Sequence, residues 1–456
     1  MLEPLYTADE MRAAEERYPG SEEELMERAG RAVAEEALRR WPDAKRFVAV
    51  CGGGKNGGDG RIAAEILRAA GRDAEVANEP RGAEVVLDAL FGTGFRGEPR
   101  PEAARLIEAI NDSGAGVVAV DIASGVDAST GEVSGVAVRA HLSVTFHGRK
   151  VGNEVSPGRF HAGEVVVADI GLEPIETRNS RATREILSAV PRRSPEDNKY
   201  TAGHVVVVGG SPGMTGAPCL SALAALRADA GYVALAGPKS AIPVFEHWVL
   251  EAVKRSLPED GEGLLTADAA DEVLDLVGKG GALAIGPGLG RSEGTKELVR
   301  HVLGEAEVPA VVDGDALHEL EPADWSAPRV LTPHSGELAR LLGVASDWVD
   351  AHRLAALERT VDRFQCVVLL KGAGTLVGEP GAGAIVCGGD PALATAGTGD
   401  VLTGIVAAFL AKGVEPRLAA AAAAVAHTEA ARETPQKNGL IASDLIDALP
   451  RVLSAY

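Results

Sequence analysis

Residues 394–404 read ATAGTGDVLTG, a run of small residues that leads directly into an apolar segment. Gly397 and Gly399 precede a predicted helix, whose first backbone amides are free to bind an anion. Asp400 follows at once, where a carboxylate beside an anion site can take a proton from a substrate hydroxyl. Alternatively, Asp400 is only an acidic residue at a helix N-terminus, an effect of about 0.3–1 kcal/mol. The density of small residues exceeds what a cap requires and favours a phosphate site.

Around this stretch, apolar strand segments alternate with helical segments over the whole C-terminal half of the chain. An Ala-rich helix follows the first strand and extends to Ala230, and two Ala-rich helices occupy about 399–432. This alternation predicts an α/β domain with a largely parallel sheet. The predicted strands are HVVVVGG (204–210), YVALAG (232–237), ALAIGPG (282–288), AVVDGD (310–315), RVLTPH (329–334) and VVLLKGAGTLV (367–377).

The N-terminal part shows a second, independent alternation. Ser21 and Glu24 have capping-box spacing, and the apolar stripe that follows them predicts a helix. Further helices are predicted through Ile62 to Leu67 and around 103–110. The pattern indicates a Rossmann-like, doubly wound α/β domain. The stripe consists of Leu25, Met26, Ala29, Val33, Ala37 and Leu38, and the predicted strands are RFVAV (46–50), EVVLDAL (84–90) and GVVAVDI (116–122).

The alternation stops between about 173 and 198, where the sequence is polar. Three prolines, Pro174, Pro191 and Pro195, punctuate this stretch, which has no sustained apolar period. We interpret it as a linker with one short helix. The predicted domains are therefore 1–190 and 191–456.

Composition excludes several classes of partner. The formal net charge of −21 argues against nucleic acid and anionic membranes, although backbone amides can still hold phosphate in an acidic protein. The four cysteines are far apart and predict buried thiols in the cytoplasm. The first residues, MLEPLYTADE, have no signal-peptide pattern, and the apolar stretch from Leu418 is too short to span a membrane. We expect a cytoplasmic homo-oligomer.

A glycine-rich segment, CGGGKNGGDG (51–60), follows the first N-terminal strand. Gly52, Gly54 and Gly57 satisfy GxGxxG, and Glu79 is the acid that a dinucleotide site would use on the next strand. A turn that serves only close packing is the alternative.

The same loop is one of three polar loops that follow strands. Ligands gather at the carboxyl ends of strands in a doubly wound sheet, so Asn56, Asp88, Asp121 and Ser124 are expected to converge. Their oxygens suit a hard cation, and a carboxylate there can act as acid or base, although each residue alone is explained equally well as a cap or turn.

Together SEEELMERAG, NGGDG, DALFGTGFRG and DIASGVD resemble the NAD(P)H-hydrate epimerase domain over about residues 5–175. The resemblance implies a potassium ion held by Asn56, Asp88 and Ser124, with Asp121 as the acid–base group. The sequence departs from the family at Lys55, often Asn, which places a cation near the potassium site, and at Ala123, usually Pro. The implied substrate-binding residues are Lys55, Asn56, Gly57, Gly58, Asp59, Gly92, Thr93, Gly94, Phe95, Arg96, Gly97, Glu98 and Asp121.

In the C-terminal half, AGTGD (396–400) resembles the signature of ribokinase-like enzymes. Within that fold, five further segments resemble the ADP-dependent NAD(P)H-hydrate dehydratases: 199–218, 284–290, 311–317, 331–343 and 369–375. The resemblance implies magnesium bound with ADP. It assigns the hydrated cofactor to Ala217, Gly288, His334 and Asp400, and the nucleotide to Lys371, Gly372, Ala373, Gly374, Thr375 and Gly399.

Several of these residues have simpler explanations. His334 ends a predicted strand before a helix, where it could cap or pack. Asp313 and Asp315 are either turn residues or approach magnesium phosphate. Lys371 ends an apolar strand and needs a partner, for which a nucleotide phosphate is suitable.

The two resemblances together imply cofactor repair. One domain would interconvert the R and S forms of hydrated NADH or NADPH, and the other would dehydrate the S form while ADP is split to AMP and phosphate. The alternative is a vitamin-type kinase that phosphorylates a small alcohol, with a non-catalytic, nucleotide-binding N-terminal domain. AGTGD fits both functions, whereas PHSGE (333–337), KGAGT (371–375) and the fused domain favour repair. Preference between the NADH and NADPH hydrates stays open.

Overall fold

The protein is described by a computed structural model that covers residues 1–278, 280–436 and 438–456. The chain forms two compact units. The N-terminal unit comprises Pro4–Ser180 and Asp350–Arg353, and the C-terminal unit comprises Met1–Glu3, Arg181–Val349 and Leu354–Tyr456. The structure thus divides the chain at residue 180, whereas the sequence pattern suggested residue 190. Independent folding of the two units stays a prediction.

The N-terminal unit is built on a six-stranded, wholly parallel sheet, as the alternating pattern predicted. Its strands, in spatial order, are Asp73–Val76, Arg46–Cys51, Val85–Ala89, Gly116–Val120, Leu142–Phe146 and Glu164–Ala168. Its helices are Ala8–Glu16, Glu22–Arg40, Lys55–Ala69, Pro101–Asp112, Val151–Glu154 and Arg159–Ala162.

The predicted helix after Ser21 is confirmed, with one detail changed. The Ser21 hydroxyl accepts the Glu24 N–H at 3.2 Å, but the Glu24 carboxylate accepts from the Tyr18 hydroxyl, so only half of the capping box forms. Val33 and Ala37 are fully buried, as the stripe predicted. The sequence analysis missed the preceding helix, Ala8–Glu16, although Thr7 and Glu10 form a complete capping box.

The C-terminal unit contains an eleven-stranded sheet. Pairing is parallel through the seven strands from Val367–Leu370 to Val253–Leu257. The strands, in spatial order, are Leu2–Leu5, Asn179–Ala182, Ile385–Val386, Leu376–Gly378, Val367–Leu370, Arg329–Leu331, Ala310–Val312, Ala282–Ile285, His204–Val208, Tyr232–Pro238 and Val253–Leu257.

Helices pack on this sheet, and the Ala-rich ones are buried because small side chains allow close approach. None of the described helices is long and apolar enough to cross a membrane. The α-helices are Gly216–Arg227, Ile242–Trp248, Ala270–Val277, Glu293–Glu305, Ser335–Leu342, Ser346–Ala351, Arg353–Phe364, Thr398–Ala411, Pro416–Glu433 and Ala442–Ser454. The 3₁₀ helices are Arg184–Ala189, Lys239–Ala241, Ala267–Ala269, Gly314–Leu317 and Pro391–Leu393.

Two predicted elements differ in the structure. VVLLKGAGTLV (367–377), read as one strand, is two antiparallel strands, because Gly372 and Gly374 have positive φ and reverse the chain between them. The stretch 173–198 contains the predicted short helix, Arg184–Ala189, but also the strand Asn179–Ala182. That strand lies second from the edge of the sheet, between Leu2–Leu5 and Ile385–Val386, although its sequence NSRA has no apolar pattern.

Candidate active sites

The N-terminal unit has a cavity of about 1270 Å³ where the loops after its strands meet the helices Ala8–Glu16 and Glu22–Arg40. Such a volume accommodates a dinucleotide-sized molecule. Ten of the implied substrate-binding residues line it, while Gly57, Gly58 and Gly97 do not. The ten are Lys55, Asn56, Asp59, Gly92, Thr93, Gly94, Phe95, Arg96, Glu98 and Asp121.

Two of the three glycines of the GxGxxG pattern, Gly52 and Gly57, serve close packing, whereas a Cβ at Gly54 would meet no atom within 4 Å. A Cβ at Gly52 would lie 2.1 Å from the Leu90 carbonyl oxygen, and one at Gly57 would lie 2.0 Å from the Gly52 carbonyl oxygen. Glu79 is exposed, pairs with Arg81 at 2.5 Å and does not line the cavity. The arrangement therefore matches the packing alternative and not a dinucleotide fingerprint.

Asn56, Asp88 and Ser124 lie close together beside the cavity. Ser124 contacts Asp88 directly, and the backbone of Phe91 connects Ser124 to Asn56. The Ser124 hydroxyl and N–H donate to the two Asp88 carboxylate oxygens at 2.6 and 2.8 Å. The Phe91 N–H donates to the Ser124 hydroxyl at 2.9 Å, and the Asn56 amide donates to the Phe91 carbonyl oxygen at 2.9 Å. The structure thus brings the three predicted ligand residues together.

Asp88 is fully buried, and burial raises its pKa to about 6, although hydrogen bonds from Ser124 and Leu90 act in the opposite direction. A buried carboxylate surrounded by neutral oxygen atoms is a suitable place for a monovalent cation. The Lys55 ammonium does not serve as that cation. It pairs with Glu22 at 3.1 Å and Glu15 at 3.5 Å, and its side chain is 60% exposed.

Asp121 has a left-handed backbone, with φ of 67°, and is nearly buried. One of its carboxylate oxygens accepts from the Thr145 hydroxyl at 3.0 Å and from the Phe146 N–H at 3.1 Å. The same oxygen accepts from the ammonium of Lys150, which is fully buried. This ammonium also donates to the Thr145 hydroxyl at 2.9 Å and to the Phe146 carbonyl oxygen at 2.8 Å.

Sequence reasoning missed Lys150. Its segment, HGRKVG (147–152), follows the strand Leu142–Phe146, which the pattern analysis did not identify. That strand lies next to Gly116–Val120 in the sheet, so the two loops end side by side. Had the strand Leu142–Phe146 been identified in the sequence, the loop after it, with Lys150, would have been predicted to lie beside Asp121.

In the C-terminal unit, Gly397 is the N-cap of the helix Thr398–Ala411 and has φ of 86°. Asp400, in the first turn, is half-buried. Burial, followed by the negative charge of Asp313, raises the pKa of Asp400 to about 7, with Lys371 acting in the opposite direction. Asp400 can therefore exchange a proton near neutral pH, which a plain helix-capping acid does not need.

Lys371 has a protein partner, where the sequence suggested only a phosphate. Its ammonium donates to the Asp313 carboxylate at 2.6 Å and lies 3.9 Å from Glu337. The second Asp313 oxygen accepts from the Thr403 hydroxyl at 2.6 Å. A Cβ at Gly399 would lie 3.4 Å from the Lys371 nitrogen, so the ammonium reaches the first turn of the helix. Lys371 is thus positioned beside the predicted anion site.

Asp315 contacts the neighbouring loop that contains Gly290 and Arg291. Its carboxylate accepts from the Gly290 N–H at 3.0 Å and pairs with Arg291 at 2.7 Å. Gly288, in the same loop, has φ of 58°, and a Cβ there would lie 2.4 Å from the Met214 carbonyl oxygen. Asp315 was expected to be either a turn residue or a residue that approaches magnesium phosphate, and these contacts match a turn residue.

His334 acts as a helix cap. Its Nδ1 accepts the Gly336 N–H at 3.0 Å and the Glu337 N–H at 3.4 Å at the start of the helix Ser335–Leu342. Its side chain is 56% exposed, so the opposite edge of the ring still faces outward. Ala217 is half-buried in the first turn of Gly216–Arg227. Contact of either residue with a ligand stays a prediction.

Two different protein families match the N-terminal and C-terminal parts of the chain. The NAD(P)H-hydrate dehydratase family matches residues 205–451, and the family described as YjeF-related protein N-terminus matches 22–83 and 72–152. A bifunctional NAD(P)H-hydrate repair enzyme of Moorella thermoacetica is 37% identical over 94% of this chain and 92% of its own length.

Two solved structures resemble the C-terminal part. The ADP/ATP-dependent NAD(P)H-hydrate dehydratase from Bacillus subtilis, co-crystallised with ATP and Mg²⁺, is 29% identical, covers 60% of this chain and 97% of its own, and has a TM-score of 0.53. A ribokinase-like superfamily protein from Enterococcus faecalis, 22% identical with a TM-score of 0.53 over 62% of this chain and 98% of its own, agrees in fold. The fold is thus the predicted ribokinase-like one, and the chain belongs to the family of bifunctional NAD(P)H-hydrate repair enzymes.

Proposed function

We propose that this protein repairs hydrated nicotinamide cofactors with two separate active sites. The C-terminal unit dehydrates the S form of hydrated NADH or NADPH while ADP is split to AMP and phosphate. The N-terminal unit interconverts the R and S forms, so that both are recovered. The observation that carries the proposal is Asp400, a half-buried carboxyl with a pKa of about 7 at the start of a helix whose first turn is free to bind phosphate.

The dehydration begins at the hydroxyl on the ring carbon next to the ring nitrogen. Asp400 takes the hydroxyl proton while the oxygen attacks the terminal phosphorus of ADP, and AMP leaves. The ring-nitrogen lone pair then expels phosphate, and loss of a proton from the adjacent carbon restores the dihydronicotinamide. The helix N-terminus and Lys371 stabilise the charge on the transferring phosphoryl group.

Magnesium would arrive with the nucleotide. Among the described residues, no group of three or more His, Cys, Asp or Glu side chains is arranged to hold a metal ion. Both carboxylate oxygens of Asp313 are also engaged, by Lys371 and Thr403. This fits a magnesium ion bound mainly by nucleotide phosphates and water, which would neutralise phosphate charge. The acidic surroundings that raise the pKa of Asp400 would favour such a cation.

In the N-terminal unit, Asp121 is the proposed acid–base group, and its carboxylate reaches the cavity. Asn56, Asp88 and Ser124 are the proposed potassium ligands, because Asp88 is a fully buried carboxylate and the Ser124 hydroxyl lies 2.6 Å from it. Bound potassium would offset the Asp88 charge and stabilise the loop 88–98, whose residues line the cavity.

The setting of the enzyme is also part of the proposal. The net charge of −21 supports small-molecule partners, with neither nucleic acid nor membrane. We expect a homo-oligomer in the cytoplasm. Size-exclusion chromatography with light scattering measures the oligomeric state directly.

The kinase alternative is disfavoured by the family that the chain belongs to and by the preserved N-terminal cavity. The test is to incubate the protein with a racemic cofactor hydrate and ADP and to follow recovery of the reduced nicotinamide absorbance. Complete recovery is expected. Phosphorylated hydrate that accumulates without reduced cofactor would indicate a kinase instead.

An Asp400→Asn variant, which removes the proposed base, tests the role of Asp400 in dehydration. The Asp271→Asn variant is its matched control. Asp271 is likewise an acidic residue in the first turn of a helix, Ala270–Val277, but it is exposed. If Asp400 acted only on the helix dipole, both variants would lose a similar small amount of stability, about 0.3–1 kcal/mol, and neither would lose dehydration activity.

A further inference from the structure

Two of the carboxyl groups that line the N-terminal cavity are nearly buried but lie in different surroundings. Asp121 and Asp59 are both nearly buried, at 8% and 7% exposed. Asp121 accepts three hydrogen bonds on one oxygen, including that of the Lys150 ammonium. In the part of the chain that the structure describes, the Asp59 carboxyl has no hydrogen-bond or ion-pair partner in the protein. The Asp121 carboxylate is thus paired with an ammonium group, whereas the Asp59 carboxyl faces the cavity without a protein partner among the described residues.

Epimerisation through ring opening needs an acid and a base together. The hydroxyl proton must leave while the bond between the ring nitrogen and the hydroxyl-bearing carbon breaks, which forms an aldehyde. The departing nitrogen keeps the bonding electron pair and must gain a proton. A protonated carboxyl and an ionised carboxylate in the same cavity can make the two transfers together, one as acid and the other as base.

We propose that Asp59 and Asp121 form this acid–base pair, and that Lys150 positions Asp121 as its ionised member. The inference rests on the proposed epimerase function. Asp121 takes the hydroxyl proton as the aldehyde forms, and Asp59 donates its proton to the ring nitrogen. After rotation of the open chain, the nitrogen attacks the other face of the aldehyde. The nitrogen then returns its proton to Asp59, and the new hydroxyl takes the proton from Asp121, which restores both groups.

The charges around Asp59 keep it protonated. Burial is the main cause, and the negative charges of Asp121, Glu15 and Glu22 add to it, while Lys55 opposes them. Together they raise the pKa of Asp59 to about 8. Two carboxyls in one site whose environments differ in this way are the pattern expected of an acid and a base.

Lys150 acts through Asp121 and has no surface in the cavity. Its ammonium is fully buried and bridges Asp121, Thr145 and the Phe146 carbonyl oxygen. A buried ammonium is costly without a partner, so the pair fixes both the charge and the orientation of Asp121. The left-handed backbone of Asp121 aims its side chain at this network.

The main experiment uses the full-length protein with the nucleotide omitted. The purified R form of the hydrate is added, and the S form is measured chromatographically, with spontaneous conversion subtracted. Wild-type protein must first interconvert the two forms, since failure there would refute the proposed epimerase itself. Given that activity, Asp59→Asn and Asp121→Asn should each reduce it by about a hundredfold or more. An Asp59→Asn variant with the wild-type rate would refute the pair.

The matched control is Glu102→Gln. Glu102 also lines the cavity, on the helix Pro101–Asp112, but it is exposed and has no role in the proposal. It should keep the wild-type epimerisation rate, and a hundredfold loss there would show that any cavity carboxyl is equivalent. Dehydration of the pure S form with ADP should be unchanged in all variants, and an unchanged thermal unfolding profile verifies that the N-terminal unit of each variant is folded.

A pH profile tests the pair without any substitution. Wild-type kcat/KM for epimerisation should fall above about pH 8, where Asp59 loses its proton. A rate that stays constant well above this pH contradicts Asp59 as the acid.

Lys150→Met should lower kcat for epimerisation while KM stays close to the wild-type value, because Asp121 loses the partner that orients it. Lys150→Arg keeps the charge and should restore much of the lost kcat. Equal loss of kcat in both variants would show a merely structural lysine.

Discussion

The two active sites each combine carboxyl groups with a lysine, but the lysine contacts a different kind of carboxyl group in each. In the N-terminal unit, the Lys150 ammonium contacts Asp121, the carboxylate expected to do the chemistry. In the C-terminal unit, Lys371 contacts Asp313. Its charge lowers the pKa of Asp400 without a hydrogen bond between the two side chains. The lysine therefore pairs directly with the reacting carboxylate in one site, whereas in the other site the reacting carboxyl has a pKa of about 7. Which carboxyl the lysine touches distinguishes the two sites.

The largest expected effect is on Asp400. Asp400→Asn keeps the size and some hydrogen bonding of the side chain but removes the base, so dehydration of the S form should fall by about a hundredfold or more. The measurement is the recovery of reduced nicotinamide absorbance with ADP. The R and S forms should still interconvert in this variant. If they do not, the two units do not hold separate sites.

The corresponding change in the other unit is Asp121→Asn. Dehydration of the reactive form should stay intact, but a racemic mixture should stop near half consumption, because the R form is no longer converted. Spontaneous epimerisation then continues the reaction slowly. Full consumption at the wild-type rate would show that Asp121 is not required.

The pH dependence of dehydration gives an effect of intermediate size. Asp400 must be ionised to accept the proton, and its pKa is about 7. Below that pH, kcat/KM should fall about tenfold for each pH unit, and above it the rate should level off. A rate that falls as the pH rises through 7 would mean that Asp400 acts in its protonated form.

The smallest expected effect concerns potassium. Thermal unfolding is compared in potassium and sodium chloride at equal concentration. Potassium should raise the melting temperature of the N-terminal transition by about 2–4 °C for each kcal/mol of binding free energy. Asp88→Asn should abolish the difference, and Lys55→Gln should leave it unchanged because the Lys55 ammonium pairs with Glu15 and Glu22. A difference that survives in Asp88→Asn would place the ion elsewhere.

Much of the fold was readable from the sequence because buried parallel strands appear as short apolar runs between helical stripes. The strands starting at Arg46, Val85 and Gly116 were predicted in this way. Asp73–Val76 was missed because it lies at the sheet edge and most of its side chains are exposed. The reversal at 371–375 was missed because an apolar run on both sides of a glycine turn looks continuous.

The sequence by itself determined the two α/β units, the convergence of Asn56, Asp88 and Ser124 at strand ends, and the position of Asp400 at a helix start. Local periodicity and chain order specify such features. Only the tertiary structure decided which charges face one another. Lys150 meets Asp121 across 29 residues, and Lys371 meets Asp313 across 58. The pKa values of Asp59 and Asp400 depend on burial and on charges distant in the sequence, chiefly Asp121 for Asp59 and Asp313 for Asp400. Electrostatic energies depend on position in space and not on separation along the chain.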